Sequence, residues 1–310
     1  MKKKFIAVPV AALMVICVAG LVTGDVHTAE YKGSTTCKMC HKAMNKPIVD
    51  GYEKTAHPVA MRKADAPGAI VADFAASTAF TKDKVAYVLG KGRNEQAFLD
   101  ANFQVLPAVW DAKAKAWKAT PASDGATQCV GCHVTNFDPA AKTWTEMGAG
   151  CEACHGPGSE HIAGADKKAT IVNPKNLDKA KQSMVCGQCH SVGKDPSGKF
   201  AFPVGFRPGD DLAAKFVDAK PAAPGRNQQY SELIQSKHGP AGVGCADCHD
   251  SHDVAGIKGQ LRKPVNDLCL GCHAAKIKDM ATHAPTAPAG SACATCHMPN
   301  GRHTFKKVGA

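Results

Sequence analysis

The sequence predicts short helices and irregular loops wrapped around a stack of covalently held cofactors, interrupted by one small β insertion. Three observations lead there. Fourteen of the 15 cysteines fall into seven copies of Cys-x-x-Cys-His. Aromatic residues make up only 6% of the chain, beside 29 glycines and 19 prolines, so few large side chains can build a core and many turn formers interrupt it. Something other than protein must therefore fill the interior. Finally, the first and second copies start 92 residues apart, and the stretch between them carries alternating apolar residues bounded by turn formers.

The first residues form a separate unit. Lys2, Lys3 and Lys4 make a basic start, Phe5 to Val22 is an uncharged apolar run of 18 residues, and Val22-Thr23-Gly24 offers small or neutral residues where a signal peptidase reads. Residues 1–24 thus read as a secretory signal peptide. The rival reading is a retained anchor, because the run is near the lower limit for spanning a bilayer. Cys17 follows the bulky Ile16, which fits a lipid-attachment site poorly. Export is expected, with the periplasm first and the outer surface or extracellular space next. The formal charge of +11 falls to +8 without the three lysines. Cofactors carrying ionised propionates would each contribute about −1 and bring the total roughly to neutral. The basicity is then a counter-charge, and a nucleic-acid partner loses its support.

The seven motifs are CKMCH (37–41), CVGCH (129–133), CEACH (151–155), CGQCH (186–190), CADCH (245–249), CLGCH (269–273) and CATCH (293–297). This is the attachment sequence of haem c. The spacing lets two thiols form thioethers with the two vinyl groups of one porphyrin, and the next residue then offers its imidazole to the iron from below. The thioether residues are Cys37, Cys40, Cys129, Cys132, Cys151, Cys154, Cys186, Cys189, Cys245, Cys248, Cys269, Cys272, Cys293 and Cys296. The proximal ligands are His41, His133, His155, His190, His249, His273 and His297. Zinc ribbons and disulfides also use paired cysteines, but neither needs a histidine after every second Cys. Chance would put one there in roughly one case in twenty. Seven haems c per chain are expected.

Seven histidines lie outside the motifs: His27, His57, His161, His238, His252, His283 and His303. Their number equals the number of irons, so each is a candidate distal ligand. Met39, Met44, Met61, Met147, Met184, Met280 and Met298 could also ligate, but methionine fills gaps more often than it binds iron. His252 follows His249 by three residues, too short a leash to reach the far face of the same haem, so it should serve a neighbour. The same holds for His161 after His155 and His303 after His297. Two histidines on each iron close both axial faces, which favours electron transfer over catalysis. No motif replaces its proximal histidine.

Motif starts at 245, 269 and 293 are spaced by 24 residues, a short internal repeat. Strands are expected at Val85–Leu89, Phe103–Trp110 and Ala116–Lys118, around a turn at Asp111–Lys115, giving a β insertion near 85–119. Helices are expected at Ile48–Lys63, Leu177–His190, Asp211–Ala219 and Gln228–Lys237. Pro221–Gly225 reads as a linker between a four-haem region (25–220) and a three-haem region (226–310) that share one haem row.

CKMCH…YEKTAHPVA (Cys37 to Ala60) resembles the first haem motif of the tetrahaem cytochromes that accept electrons from hydroxylamine oxidoreductase. GAGCEACHGPGSEH (Gly148 to His161) and the β segment from Tyr87 to Trp117 are similar to segments of the same wider group. In that group the closing histidine, here His161, often serves as a distal ligand. SKHGPAGVGCADCHDSHD and the two motifs after it resemble a doubled CxxCH module, and CHMPNGRHTF (Cys296 to Phe305) has the same character. Seven motifs depart from the tetrahaem pattern, so no partner carries over. The resemblance implies a multihaem cytochrome c fold and an electron carrier. Its partners would be redox proteins such as membrane or periplasmic cytochromes or quinol-linked complexes, with a homo-oligomer or filament as a further form. The competing reading is an oxidoreductase acting on a small nitrogen or sulfur compound at one open haem.

Overall fold

A computed structural model describes residues 29–76, 79–223, 225–277 and 279–306. Helices α1 (Ser34–Met44) and α2 (Lys46–Lys54) open it. An antiparallel meander of five strands follows: β1 (Met61–Lys63), β2 (Tyr87–Leu89), β3 (Glu95–Leu99), β4 (Ala108–Asp111) and β5 (Ala116–Ala119), each hydrogen-bonded to the next. Because side chains alternate along a strand, neighbours separate to opposite faces. Val88 is paired with Phe98 on one face, and Tyr87 with Leu99 on the other. The first face packs on Ala69, Val85 and Trp110, the second on Met61, Phe103, Val105 and Val130. Met61, Val88, Phe98 and Leu99 are completely inaccessible. Phe74, Phe80, Phe98 and Trp117 enclose one another with centroids 5.0 to 5.8 Å apart. Here the interior is protein, contrary to the expectation that something else must fill it. Phe98→Ala should cost about 3–5 kcal/mol, read as a lowered midpoint of chemical unfolding of the holoprotein.

Strand β3 was not expected. Gln96 is fully buried in it, with its side chain accepting from Val71 N and donating to Ala69 O, both at 2.8 Å. The expected strand at Phe103–Trp110 shrinks to β4, because Phe103 adopts a left-handed φ of 64° and turns the chain. The expected helix at Ile48–Lys63 stops at Lys54, and Met61–Lys63 becomes an edge strand. Pro58 has no amide hydrogen to continue the helix.

Short helices carry the remaining chain. They are α3 (Gly125–Gln128), α4 (Val130–His133), α5 (Cys151–His155), α6 (Ser159–Ala163), α7 (Lys179–Gly187), α8 (Gln229–Gln235), α9 (Cys245–Cys248), α10 (Val265–His273), α11 (Met280–His283) and α12 (Cys293–His297). Helix α7, capped by Asp178 on Lys181 N at 2.9 Å, and helix α8 lie where expected. The expected helix at Asp211–Ala219 is one 3-10 turn, Leu212–Ala214, followed by the two-residue strand Val217–Asp218. Phe216 leaves the turn to pack with Phe206, Leu212 and Tyr230. Contacts bridge the Pro221–Gly225 stretch: Lys179 pairs with Asp247 at 2.5 Å, and Ser183 Oγ accepts from Cys245 N at 3.2 Å. Beyond Ser236 no side chain among the described residues is buried. No helix among them is long and apolar enough to cross a membrane.

Candidate haem sites

Each motif sits in or beside a helix, where residues three and four apart share a face. The two thiols and the imidazole of a motif therefore converge on one side of their own turn. None of the fourteen described cysteines is in a disulfide. A second restraint fixes the imidazoles. His133 Nδ1 lies 2.8 Å from Ala60 O, His155 Nδ1 2.8 Å from Val172 O, His249 Nδ1 2.8 Å from Gly259 O and His297 Nδ1 2.9 Å from Lys306 O. His190 Nδ1 meets Gln229 Oε1 at 3.1 Å, and His41 Nδ1 meets the Asn45 amide at 3.1 Å. A carbonyl on Nδ1 selects the tautomer that leaves Nε2 free for a metal. Burial is the first cause that holds His133, His155 and His190 below the usual imidazole range, and it pushes His57 down to about 4. These rings are therefore neutral at physiological pH, the form that ligates.

Six motif histidines face six histidines from outside the motifs. The ring centroids are 6.1 Å apart for His41 and His161, 6.2 Å for His155 and His252, and 6.3 Å for His190 and His57. They are 6.0 Å apart for His249 and His303, and 5.9 Å for both His273 with His238 and His297 with His283. Two imidazoles bound through Nε2 to opposite faces of one iron, at about 2 Å per bond, put their centroids about 6 Å apart. The residues thus fit haem c. His252, His161 and His303 each face the imidazole of a different motif from the one they follow. His133 has no facing histidine among the described residues, and His27 lies outside them. Of the methionines, Met61 is in the core beneath the sheet, whereas Met39 and Met44 are exposed.

Neighbouring motifs touch. The thiols of Cys37 and Cys151, of Cys132 and Cys189, of Cys186 and Cys245, and of Cys269 and Cys293 are near enough to perturb one another. Gln188 donates to Ala153 O at 2.8 Å, joining the third and fourth motifs. Cys248 and Cys272 are near enough to interact electrostatically. The motifs therefore run in the order first, third, fourth, fifth, sixth, seventh, with the second beside the fourth.

Several supports escape a motif search. Glu152, inside the third motif, is buried and accepts from Lys32 N, Gly33 N and Gly158 N at 2.7 to 2.9 Å. Glu146 accepts from Ser34 Oγ at 2.8 Å, and that oxygen accepts from Cys151 N at 2.9 Å, so the starts of α1 and α5 are tied together. Gly148, with φ of 83°, lets the chain pass Pro58 beside His57, and a Cβ there would sit 2.3 Å from Pro58 O. Gly51 lets α2 approach the loop of His252, where a Cβ would sit 2.2 Å from His252 O. Gly51→Ala should therefore displace that loop, costing about 1–3 kcal/mol and raising the high-spin ferric signal in EPR. No local pattern in the sequence marks this layer.

The class follows from these features: the chain is a multihaem c-type cytochrome. Residues 238–278 match the doubled CXXCH motif family, and residues 100–156 match the family described as cytochrome c554 and c-prime. The second match says nothing of a redox partner. The chain is 27% identical over 174 residues to the cytochrome c nitrite reductase subunit NrfA of Nitratidesulfovibrio vulgaris, covering 42% of this chain and 33% of that one. It is 28% identical over 161 residues to the multiheme cytochrome MtrA of Shewanella baltica, covering 51% and 37%. It spans about a third of the length of these curated relatives. Among solved structures, the outer cell wall cytochrome OcwA superposes with a TM-score of 0.74 at 24% identity, over 90% of this chain and 80% of that one. That likeness establishes the fold.

Proposed function

We propose that this chain is an exported electron-transfer protein carrying seven haems c, most of them ligated by two histidines. The carrying observation is the set of six facing imidazole pairs at 5.9 to 6.3 Å. On this reading His161, His252, His57, His303, His238 and His283 are the distal ligands opposite His41, His155, His190, His249, His273 and His297. Haem c supplies a one-electron ferric/ferrous couple at each site. The chain supplies the thiols, both axial imidazoles, and the contacts that keep successive motifs adjacent. The four-motif and three-motif regions share this row, since His155 and His252 come from different regions. His27 is the candidate for the iron of His133, in its own chain or in a neighbouring copy. Redox proteins are the partners, and the signal-like start, together with a relative named for the outer cell wall, supports a place outside the cytoplasmic membrane.

A second reading rests on His133. With no facing histidine among the described residues, the haem of the second motif could act on a small compound, a reading favoured by the similarity to a nitrite reductase subunit. Intact mass, EPR and carbon monoxide titration test both. Electron transfer predicts seven haem additions, low-spin signals and almost no carbon monoxide bound to the ferrous protein. One equivalent bound would support the second reading. Two or more would overturn the ligand assignments.

A further inference from the structure

We propose that Glu232 is a positioning residue that sets the sixth ligands of the fifth and sixth motifs by clasping the C-terminal strap. The inference rests on reading His303 as a haem ligand. The strap runs from Met298 to Lys306 and is closed at its base by His297, whose carbonyl accepts from Lys306 N at 2.9 Å and whose Nδ1 meets Lys306 O at 2.9 Å. Asn300 and Gly301 both take left-handed φ values, 59° and 74°, which reverse the chain just after the seventh motif. The reversal sends Arg302 and His303 away from their own motif and onto α8.

There they meet a carboxylate that is only 2% exposed. Glu232 Oε1 accepts from Arg302 Nε at 2.7 Å and from Gln228 Nε2 at 2.8 Å, and Oε2 accepts from His303 N at 2.6 Å. The clasp thus fixes the backbone of the residue whose ring faces His249 at 6.0 Å. Two residues on, the Phe305 ring packs on His238 at 4.1 Å, and His238 faces His273. One buried acid therefore orients His303 directly and buttresses His238 through the same strap. An ion pair this enclosed, with the arginine side chain 12% exposed, holds one geometry rather than many. Beyond Ser236 no described side chain is buried, so packing among the strap's own side chains does not do the same.

The test uses the full haem-loaded protein. Glu232→Gln keeps the volume but aims an amide at donors. It should leave all seven haems attached while the ferrous protein binds one to two more equivalents of carbon monoxide than the unaltered chain, the first opposite His249, with a matching high-spin ferric signal. Arg302→Met should do the same, and is decisive if the first variant does not accumulate. His303→Ala separates the two levels of the argument. If His303→Ala gains no carbon monoxide site, the ligand reading fails. If it gains one while a loaded Glu232→Gln or Arg302→Met does not, the clasp fails. Loss of both clasp variants to degradation, with His303→Ala assembling normally, would also overturn positioning in favour of a general folding role.

Discussion

Replacing His252 with Ala should add one equivalent of carbon monoxide binding to the ferrous protein and convert one ferric haem from low to high spin. His252 comes from the loop after the fifth motif, yet its ring lies 6.2 Å from that of His155 in the third, at an interplanar angle of 24°. The loop is held by His252 N donating to Asp250 Oδ1 at 3.1 Å and Asp253 N donating to Asp250 O at 2.9 Å. It is also wedged against Gly51 of α2. Alanine removes the imidazole and leaves these restraints in place, so no neighbouring side chain is drawn in to substitute. His161→Ala should open a second site, opposite His41, and the double variant should bind two added equivalents, because the two rings belong to different irons. An unchanged titration in both single variants would falsify the assignment of these rings.

Withholding haem attachment should leave the chain unfolded beyond about residue 236 while the sheet keeps residual structure. Ordering each residue costs about 1–2 kcal/mol of backbone entropy, which burial must offset. In the sheet that offset is present, since Met61, Val88, Phe98 and Leu99 are wholly removed from water. Beyond Ser236 no described side chain is buried, and α9, α10 and α12 each carry the two cysteines of one motif. Only the porphyrin can supply the missing apolar area there. Limited proteolysis of the haem-free chain should cut first within 237–306, and hydrogen exchange should show protection within 61–135. A cooperative thermal transition of the haem-free chain with protected amides beyond residue 240 would contradict this.

The proposed attachment residues can be read from sequence because their chemistry is local: two thiols and an imidazole must lie within five residues to grip one porphyrin. Helix α7 was legible for a similar local reason, since Asp178 caps its first turn. Strand β3 was hidden because its buried glutamine satisfies backbone groups that come from Ala69 and Val71, well away in sequence. Helix α2 was overextended because the apolar residues after Pro58 serve the sheet rather than the helix. Glu146, Glu152 and Glu232 read as ordinary surface acids. Their partners lie 71 to 120 residues away at Ser34, Lys32 and His303, and no local pattern announces them.

From residue order alone come haem c as the cofactor, the proposed thiol and proximal ligands at each motif, and the expectation that histidines following a motif serve a different haem. The short leash from His249 to His252 requires that much. Which motif each of those histidines faces is a matter of tertiary structure. It depends on the reversal at Asn300 and Gly301, on the close approach at Gly51, and on a sheet that packs the second motif's helix beneath it. Covalent attachment is a property of five consecutive residues. A facing imidazole pair joins residues up to 133 apart, as in His57 and His190, and only the folded chain brings them to 6.3 Å.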